Sequence, residues 1–403
     1  MQDLFFKHLI NFFSQRNLVK ATAFSLFLYV FLRNTNRKGI TVLCLTRRSN
    51  EYDIKALKQF ETRFNFIDIP FNTLKLAQRW LPKLEQTFYK EEIKGYPKAF
   101  TKSKRLAEIF LKLMKKGGYN LKFVLSANFD YYEDFLFKDH PNVAYIALSR
   151  EHYVIPVSYD RGLKRYTNNY KFNGKKILVY GSQTRKLLEE TNVASGKVKV
   201  VGCPRFDFFL ENKFQTKSKK YVTLFSFIDG LYYGNQTFDE VLDEFVLLAK
   251  KHPSIPFLIK CKSLTDYEIL EKNVKGVKNI NLSYSIDYLF VFENSKIIIS
   301  FNSNSLLEGL LAGAKTIIPF WSDTKKDPYQ LLIDPNSKNG KFFNFTYSRG
   351  EFSLFLEKSI LENYQAENWE ERKKVLSYYF YLPERNSSNL VGDEMKFILE
   401  NEL

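Results

Sequence analysis

Histidine is scarce in this sequence. Only His8, His140, His152 and His252 occur among 403 residues, and their scatter offers no spacing for a metal cluster. Cysteine is scarcer: Cys44, Cys203 and Cys261 are odd in number, far apart and in no C-x-x-C pattern. That excludes a zinc ribbon and a disulfide framework, and it fits a reducing compartment. Long apolar runs are missing too. The longest uncharged one, Ala21–Leu32, has 12 residues, against about 20 needed to span a bilayer. Flanked by Lys20, Arg33, Arg37 and Lys38, it suits either a buried core helix or a helix lying in a membrane interface. No small-residue cleavage site follows a clean apolar core, so no signal peptide is read. The expected location is cytoplasmic, or peripheral at the inner face of the cell membrane.

Acidic residues are short in one half only. Residues 1–210 hold 37 Lys/Arg against 18 Asp/Glu, whereas residues 211–403 hold 24 against 26. The formal charge of +17 therefore belongs to the first half. Such a half suits an anionic neighbour: a membrane surface, an acidic polysaccharide or nucleic acid. A merely solvated basic surface is the plainer alternative.

Apolar residues are plentiful. At 45% hydrophobic and 17% aromatic, the chain has ample material for buried cores, which excludes disorder. Its length predicts two domains of about 150–200 residues. Short apolar runs opening on glycine or a turn predict parallel strands near 39–45, 66–69, 122–126, 143–148, 176–180 and 198–201. Helices are expected over Tyr52–Phe64, Thr73–Lys90 and Lys102–Lys116, the last ended by Gly117-Gly118. After the lysine-rich stretch Glu211–Lys220 the pattern restarts, with strands near 221–227, 256–260, 280–282, 296–300 and 315–319 and helices between them. Strands alternating with helices mean stacked βαβ units. The expected architecture is α/β, two Rossmann-like domains with parallel sheets facing a central cleft. Their ranges are 1–212 and 213–380, with a helix over 381–403 expected to pack back on the N-terminal domain.

In such sheets ligands collect beyond the carboxyl ends of strands. The strand Lys296–Ser300 leads into Phe-Asn-Ser-Asn-Ser and then a helix carrying Glu308. Hydroxyl and amide side chains at a helix start leave backbone N–H groups free for a phosphate, which makes Ser303, Asn304 and Ser305 donor-binding candidates. Glu308 would reach ribose hydroxyls. Ordinary N-capping by Ser303 or Ser305 is the alternative. Small residues Gly309, Ala312, Gly313 and Ala314 would let this helix press on the sheet.

The run of a serine-rich turn, LLEGLLAG and a strand ending in Pro319 resembles the donor-binding segment of GT-B glycosyltransferases. Val198–Asp207, VKVVGCPRFD, is similar to a V-x-G-x-P-R-x-D element of enzymes building bacterial surface polysaccharides. Those include the transferases of capsule Kdo (3-deoxy-manno-octulosonic acid) and the CDP-glycerol polyol-phosphate transferases. The likeness covers mainly residues 145–320. It implies a nucleotide-sugar as substrate, no cofactor, no metal, and a lipid-linked or polysaccharide acceptor held by the basic half.

Under that resemblance Gly202 makes a tight exit and Arg205 faces a donor phosphate or a carboxylate; an Arg205–Asp207 pair is the structural alternative. Lys260 and Lys262 stand where the capsule enzymes carry a K-P-H-P-like element, here without its histidine and prolines. Two lysines can still neutralise a phosphate leaving group. Asp229 occupies the carboxylate nucleophile position, with an Asp-Gly turn as the alternative. Glu151, ahead of His152, is the acid–base candidate. The cluster Asp130, Glu133 and Asp134 lacks D-x-D spacing and reads as a solvated acidic helix face.

The expected activity is transfer of a sugar, such as CMP-activated Kdo, to a surface polysaccharide or glycolipid. Alternatives are a CDP-glycerol or ribitol polyol-phosphate transferase, a sugar-nucleotide 2-epimerase and an inactive GT-B subunit. A nucleic-acid-binding protein is a further alternative, but no RNP-like or helix-turn-helix signature supports it, so no nucleic acid is expected as partner.

Overall fold

The computed structural model describes residues 2–81, 95–137, 140, 142–150, 153–210, 219–227, 235–363, 366 and 368–403. The chain divides into two compact units. The first comprises Met1–Tyr153, Arg161–Asp207 and Phe380–Leu403, and the second Val154–Asp160 and Phe208–Tyr379.

The first unit holds a six-stranded sheet of β1 (Ile40–Thr46), β2 (Phe64–Pro70), β3 (Asn120–Ser126), β4 (Ala144–Ser149), β5 (Lys176–Val179) and β6 (Val198–Val200). Its spatial order is β2-β1-β3-β4-β5-β6, and every pairing is parallel. The central strands are buried almost throughout, as their uninterrupted apolar runs require. Gly39, at φ +77, supplies the turn into β1. Helices α1 (Gln2–Gln15), α2 (Val19–Arg33), α3 (Glu51–Phe60), α4 (Phe71–Leu76), α5 (Pro97–Lys116), α6 (Glu133–Phe137), α7 (Pro156–Tyr166) and α8 (Ser182–Glu190) follow the chain. Of these, α7 runs across the division between the units.

Two sequence expectations need correction. The helix expected to run unbroken over Thr73–Lys90 is interrupted: α4 ends at Leu76 and turns follow over 77–80, while residues 82–90 lie outside the described residues. Asp130 and Glu133 do not form a solvated acidic face: they are 2% and 0% exposed. Glu133 is buried with a cation brought to it from just past β1, a long-range contact that no local periodicity signals.

The second unit holds β7 (Tyr221–Phe225), β8 (Phe257–Lys260), β9 (Ile280–Ser283), β10 (Ser295–Ile299), β11 (Lys315–Pro319) and β12 (Asn344–Thr346). Their order is β12-β11-β10-β7-β8-β9, again all parallel. Of these, β12 has no counterpart in the sequence reading: Asn344-Phe345-Thr346 holds one apolar residue between two polar ones, so no apolar run marks it. The helices are α9 (Asn235–Lys251), α10 (Leu264–Val274), α11 (Tyr288–Asn294), α12 (Asn304–Leu311), α13 (Arg349–Leu361) and α14 (Trp369–Tyr379).

The last helix, α15 (Ser387–Asn401), belongs to the first unit. Asp207 accepts the Ser387 and Ser388 N–H groups, each at 2.8 Å, and so caps it. Arg63 ties it down, donating to Asp393 at 2.7 Å and to the Asn389 carbonyl at 3.0 Å. A Cβ on Gly392 would lie 1.9 Å from Glu61 Oε2, so only glycine allows this approach. All three cysteines are buried free thiols.

Candidate functional site

Strand order defines the switch points of the two sheets. In the second sheet the chain runs outward from β7 through β8 to β9, then returns to β10 on the other side of β7. The direction reverses between β7 and β10, and ligands bind at such switch points. The chain leaving β10 carries the Ser303–Ser305 turn.

The β10 exit is built as a cradle. Ser300 and Phe301 are buried, and Asn302 adopts φ +46 to turn the chain sharply. Its side chain fixes that turn, donating to the Gln330 carbonyl at 3.2 Å and accepting the Leu332 N–H at 2.7 Å. Ser303 caps α12, its Oγ accepting the Ser305 N–H at 3.3 Å. Ser305 Oγ donates within a hydroxyl cluster, 3.0 Å from both Ser300 and Ser303 Oγ. Asn304 is half-buried at the first helical position, and Glu308 is 4% exposed one turn further in. Gly309 lets α12 lie against the sheet; a Cβ there would meet Ile298 Cδ1 at 2.9 Å. At the other end Arg372, 3% exposed, donates to the Leu310 and Leu311 carbonyls at 3.1 and 2.9 Å. A cation fixed at the carboxyl end is the favourable sense for the helix dipole.

The neighbouring helix starts are filled differently. At the start of α9, Asp323 accepts the Gln236 and Thr237 N–H groups at 3.0 and 3.1 Å. Asp266 sits in the first turn of α10, accepting the Ser263 hydroxyl at 2.8 Å and the Lys262 N–H at 3.1 Å. Asp287 caps α11 through the Phe290 N–H at 3.1 Å. Each places a protein carboxylate where an anion would bind. Among the described residues the start of α12 has a neutral hydroxyl, that of Ser303, as its cap.

Lys260 and Lys262 meet different fates. The Lys260 ammonium donates to the Tyr284 carbonyl at 2.8 Å and the Cys261 carbonyl at 3.2 Å, joining the exits of β8 and β9. Lys262 is exposed, and its backbone N–H donates to Ser226 Oγ at 3.0 Å. Ser226 in turn donates to Asp266 at 2.5 Å. Asp266 thereby holds together the β7 exit, the β8 exit and the start of α10. Burial beside Asp266 pushes the Cys261 thiol up to about 12, so it is an unreactive neighbour. Asp229, Glu151 and His152 lie outside the described residues.

Gly202 and Arg205 belong to the first unit, where both have structural partners. Gly202 has φ +81, and a Cβ would lie 2.5 Å from Ser387 Oγ and 2.7 Å from the Tyr381 carbonyl. Arg205 is 8% exposed; its guanidinium lies 3.7 Å from Asp53 and its N–H donates to the same carboxylate at 3.3 Å. The alternative Arg205–Asp207 pair is not the one that forms: Asp207 is committed to α15. Burial pushes Asp207 up to about 6 despite the Ser387 and Ser388 hydrogen bonds.

The first sheet reverses direction between β1 and β3. Sequence reasoning missed what lies there. Arg47, at the end of β1, donates to buried Glu133 at 2.6 Å, with its guanidinium 3.3 Å from the Phe71 ring centroid and 3.8 Å from that of Tyr131. After β3, Asp130 accepts from Asn128 at 2.8 Å and from the Tyr166 hydroxyl at 2.9 Å. Asn128 also accepts the Ser149 hydroxyl at the end of β4, at 2.7 Å. Burial and Asp130 together hold the Tyr166 phenol far above its ordinary range, so it stays a donor. The only available signal was the position of these residues just past apolar runs.

No family model and no curated protein sequence matches the chain. Solved structures do. The wall teichoic acid polymerase TagF aligns with a TM-score of 0.52 at 11% identity, covering 100% of this chain and 99% of that chain. A UDP complex of MnaA from S. aureus gives 0.50 at 13% identity, covering 90% and 97%. The UDP-GlcNAc 2-epimerase of Methanocaldococcus jannaschii gives 0.50 at 11% identity, covering 89% and 100%. The fold is GT-B. At these identities the likeness is one of fold, and the chemistry has to be argued from this chain's own residues.

Proposed function

We propose that this protein is a glycosyltransferase-type enzyme that binds a nucleotide-activated donor at the start of α12 and transfers its activated group to a bacterial surface polymer. The observation that carries the reading is the contrast among helix starts. Beside the switch point of the second sheet, α12 presents backbone N–H groups capped by hydroxyls, whereas α9, α10 and α11 hold carboxylates. A donor phosphate fits there. Glu308 lies deeper on the same helix and would take the ribose hydroxyls, and Lys262 would add charge from the β8 exit.

The transferred group is a sugar such as Kdo from a CMP donor, or a polyol phosphate from a CDP donor. The second is favoured by the full-length likeness to TagF, a protein named for wall teichoic acid polymerisation. Asp229, which follows β7 in sequence, would act as nucleophile in the sugar reading, with Glu151 activating the acceptor hydroxyl. The basic first half would hold an anionic acceptor.

Thermal unfolding with CMP, CDP, UDP, GDP and ADP tests the site, since stabilisation follows ligand concentration over its dissociation constant. One nucleotide should raise the midpoint above the others, and the mass of the product formed with a matching donor then identifies the group moved. Failure of all five to stabilise the protein would remove the donor site. Conversion of UDP-GlcNAc without an acceptor would replace the transferase by an epimerase.

A further inference from the structure

A surface helix is ordinarily apolar on its inner face and polar outside. Helices α1 and α2 depart from this. Phe6, Ile10 and Ser14 of α1 point inward, while Leu4, Phe5 and Phe12 on the opposite side are 46–61% exposed. In α2 the buried face carries Leu26 and Val30; Phe24 and Leu32 are 50% and 46% exposed, with half-buried Leu28 between them at helical spacing. Leu18, in the turn joining the helices, is 48% exposed as well.

The charge around these residues has one sign. Residues 1–50 contain eight Lys/Arg and a single acid, Asp3. That acid is already neutralised by Arg33, 2.9 Å away at the far end of α2. Arg16 lies over the Phe12 ring at 3.7 Å and Arg37 over the Phe31 ring at 3.8 Å, so two cations sit at the margins of the apolar surface. Lys20 and Lys38 are exposed nearby in the chain. Beyond Arg37, a groove of about 660 Å³ at the amino ends of β3 and β4 is lined by Lys104, Lys112, Lys115 and Lys122 against one acid, Glu108.

We propose that the α1–α2 hairpin docks on an anionic phospholipid surface, its exposed Phe and Leu side chains entering the headgroup–acyl boundary while Arg16, Lys20, Arg37 and Lys38 meet lipid phosphates. No helix among the described residues is long and apolar enough to cross a membrane, so the hairpin lies in the interface plane. A second copy of the chain is a poor occupant, because self-docking would bring two basic rims together. An anionic bilayer matches both the apolar stripe and the sign of its border. This goes beyond the transferase reading and is independent of it, since the assay reads lipid partition and not turnover.

The test is sedimentation of the full chain with vesicles of phosphatidylcholine alone or mixed with phosphatidylglycerol. Binding is expected to the mixed vesicles and to weaken steeply with salt. The pairs Phe5→Ser with Phe12→Ser, and Phe24→Ser with Leu32→Ser, should each lower partition about tenfold or more. Arg16→Gln with Lys20→Gln should lower it by about tenfold on anionic vesicles only. The unfolding midpoint, measured for every variant, separates loss of binding from loss of fold. The proposal is overturned by a chain that stays in the supernatant, by equal binding to both vesicle types, or by folded Phe variants that bind like the parent. Light scattering that shows a dimer abolished by those substitutions would overturn it as well, in favour of a self-association face.

Discussion

Replacing Ser303 by Asp puts the donor-site argument at risk in one step. The substitution gives α12 the carboxylate cap that Asp323, Asp266 and Asp287 already give its neighbours. Ser and Asp are comparable N-caps, so the free protein should keep its stability or gain about 0.3–1 kcal/mol from the helix dipole. A bound phosphate would then face a carboxylate. At about 4 Å and an effective dielectric near 20, two unit charges repel by about 4 kcal/mol. Ser303 is half-buried, and solvent screening reduces this to about 2 kcal/mol, a dissociation constant raised about 30-fold. At a nucleotide concentration 100 times the parent's dissociation constant, stabilisation should fall from about 2.7 to about 0.9 kcal/mol. Thermal unfolding with and without the preferred nucleotide reads both effects, and they have opposite signs. Ser303→Asn, a neutral cap of similar size, should bind like the parent. An undiminished nucleotide shift in Ser303→Asp would refute the reasoning.

Three more outcomes follow from the geometry. Arg47→Ala strands Glu133, which is 0% exposed, without its cation; urea unfolding should show a loss of about 3–5 kcal/mol, and Glu133→Gln in the same chain should restore part of it. Gly202→Ala puts a Cβ 2.5 Å from Ser387 Oγ at φ +81, and should cost about 2 kcal/mol or more and loosen residues 380–403 to hydrogen exchange. Asp207, raised from 3.8 to about 6, is held protonated more tightly when folded. Its contribution is therefore fully present below pH 3.8 and is lost as pH rises through 6, a change of about 3 kcal/mol. Stability measured from pH 3.5 to 7 should carry that decline, and Asp207→Asn should flatten it.

The strands were legible because a parallel sheet buried on both faces needs apolar runs, and Ile40–Thr46, Ser295–Ile299 and Lys315–Pro319 each contain one. The turn after β10 was legible as well, since hydroxyl and amide side chains gather where a chain must leave a strand and start a helix. What stayed hidden is whatever depends on partners distant in sequence. Glu133 reads as a solvated acid until Arg47 arrives from 86 residues away. Arg205 reads either as an anion receptor or as the partner of Asp207, and its contact with Asp53, 152 residues away, is in neither reading.

By itself the sequence determined the α/β class, the all-parallel strand alternation and a basic first half, because period, apolar run length and charge are local properties. Tertiary structure alone decided the strand order, and with it the two switch points where loops converge. It also assigned Val154–Asp160 to the second unit, through contacts with residues far along the chain. Finally, it decided which helix starts carry a carboxylate. Asp323 reaches the start of α9 from 86 residues further along the chain, so no reading of α9 alone distinguishes it from α12. That difference is set by packing.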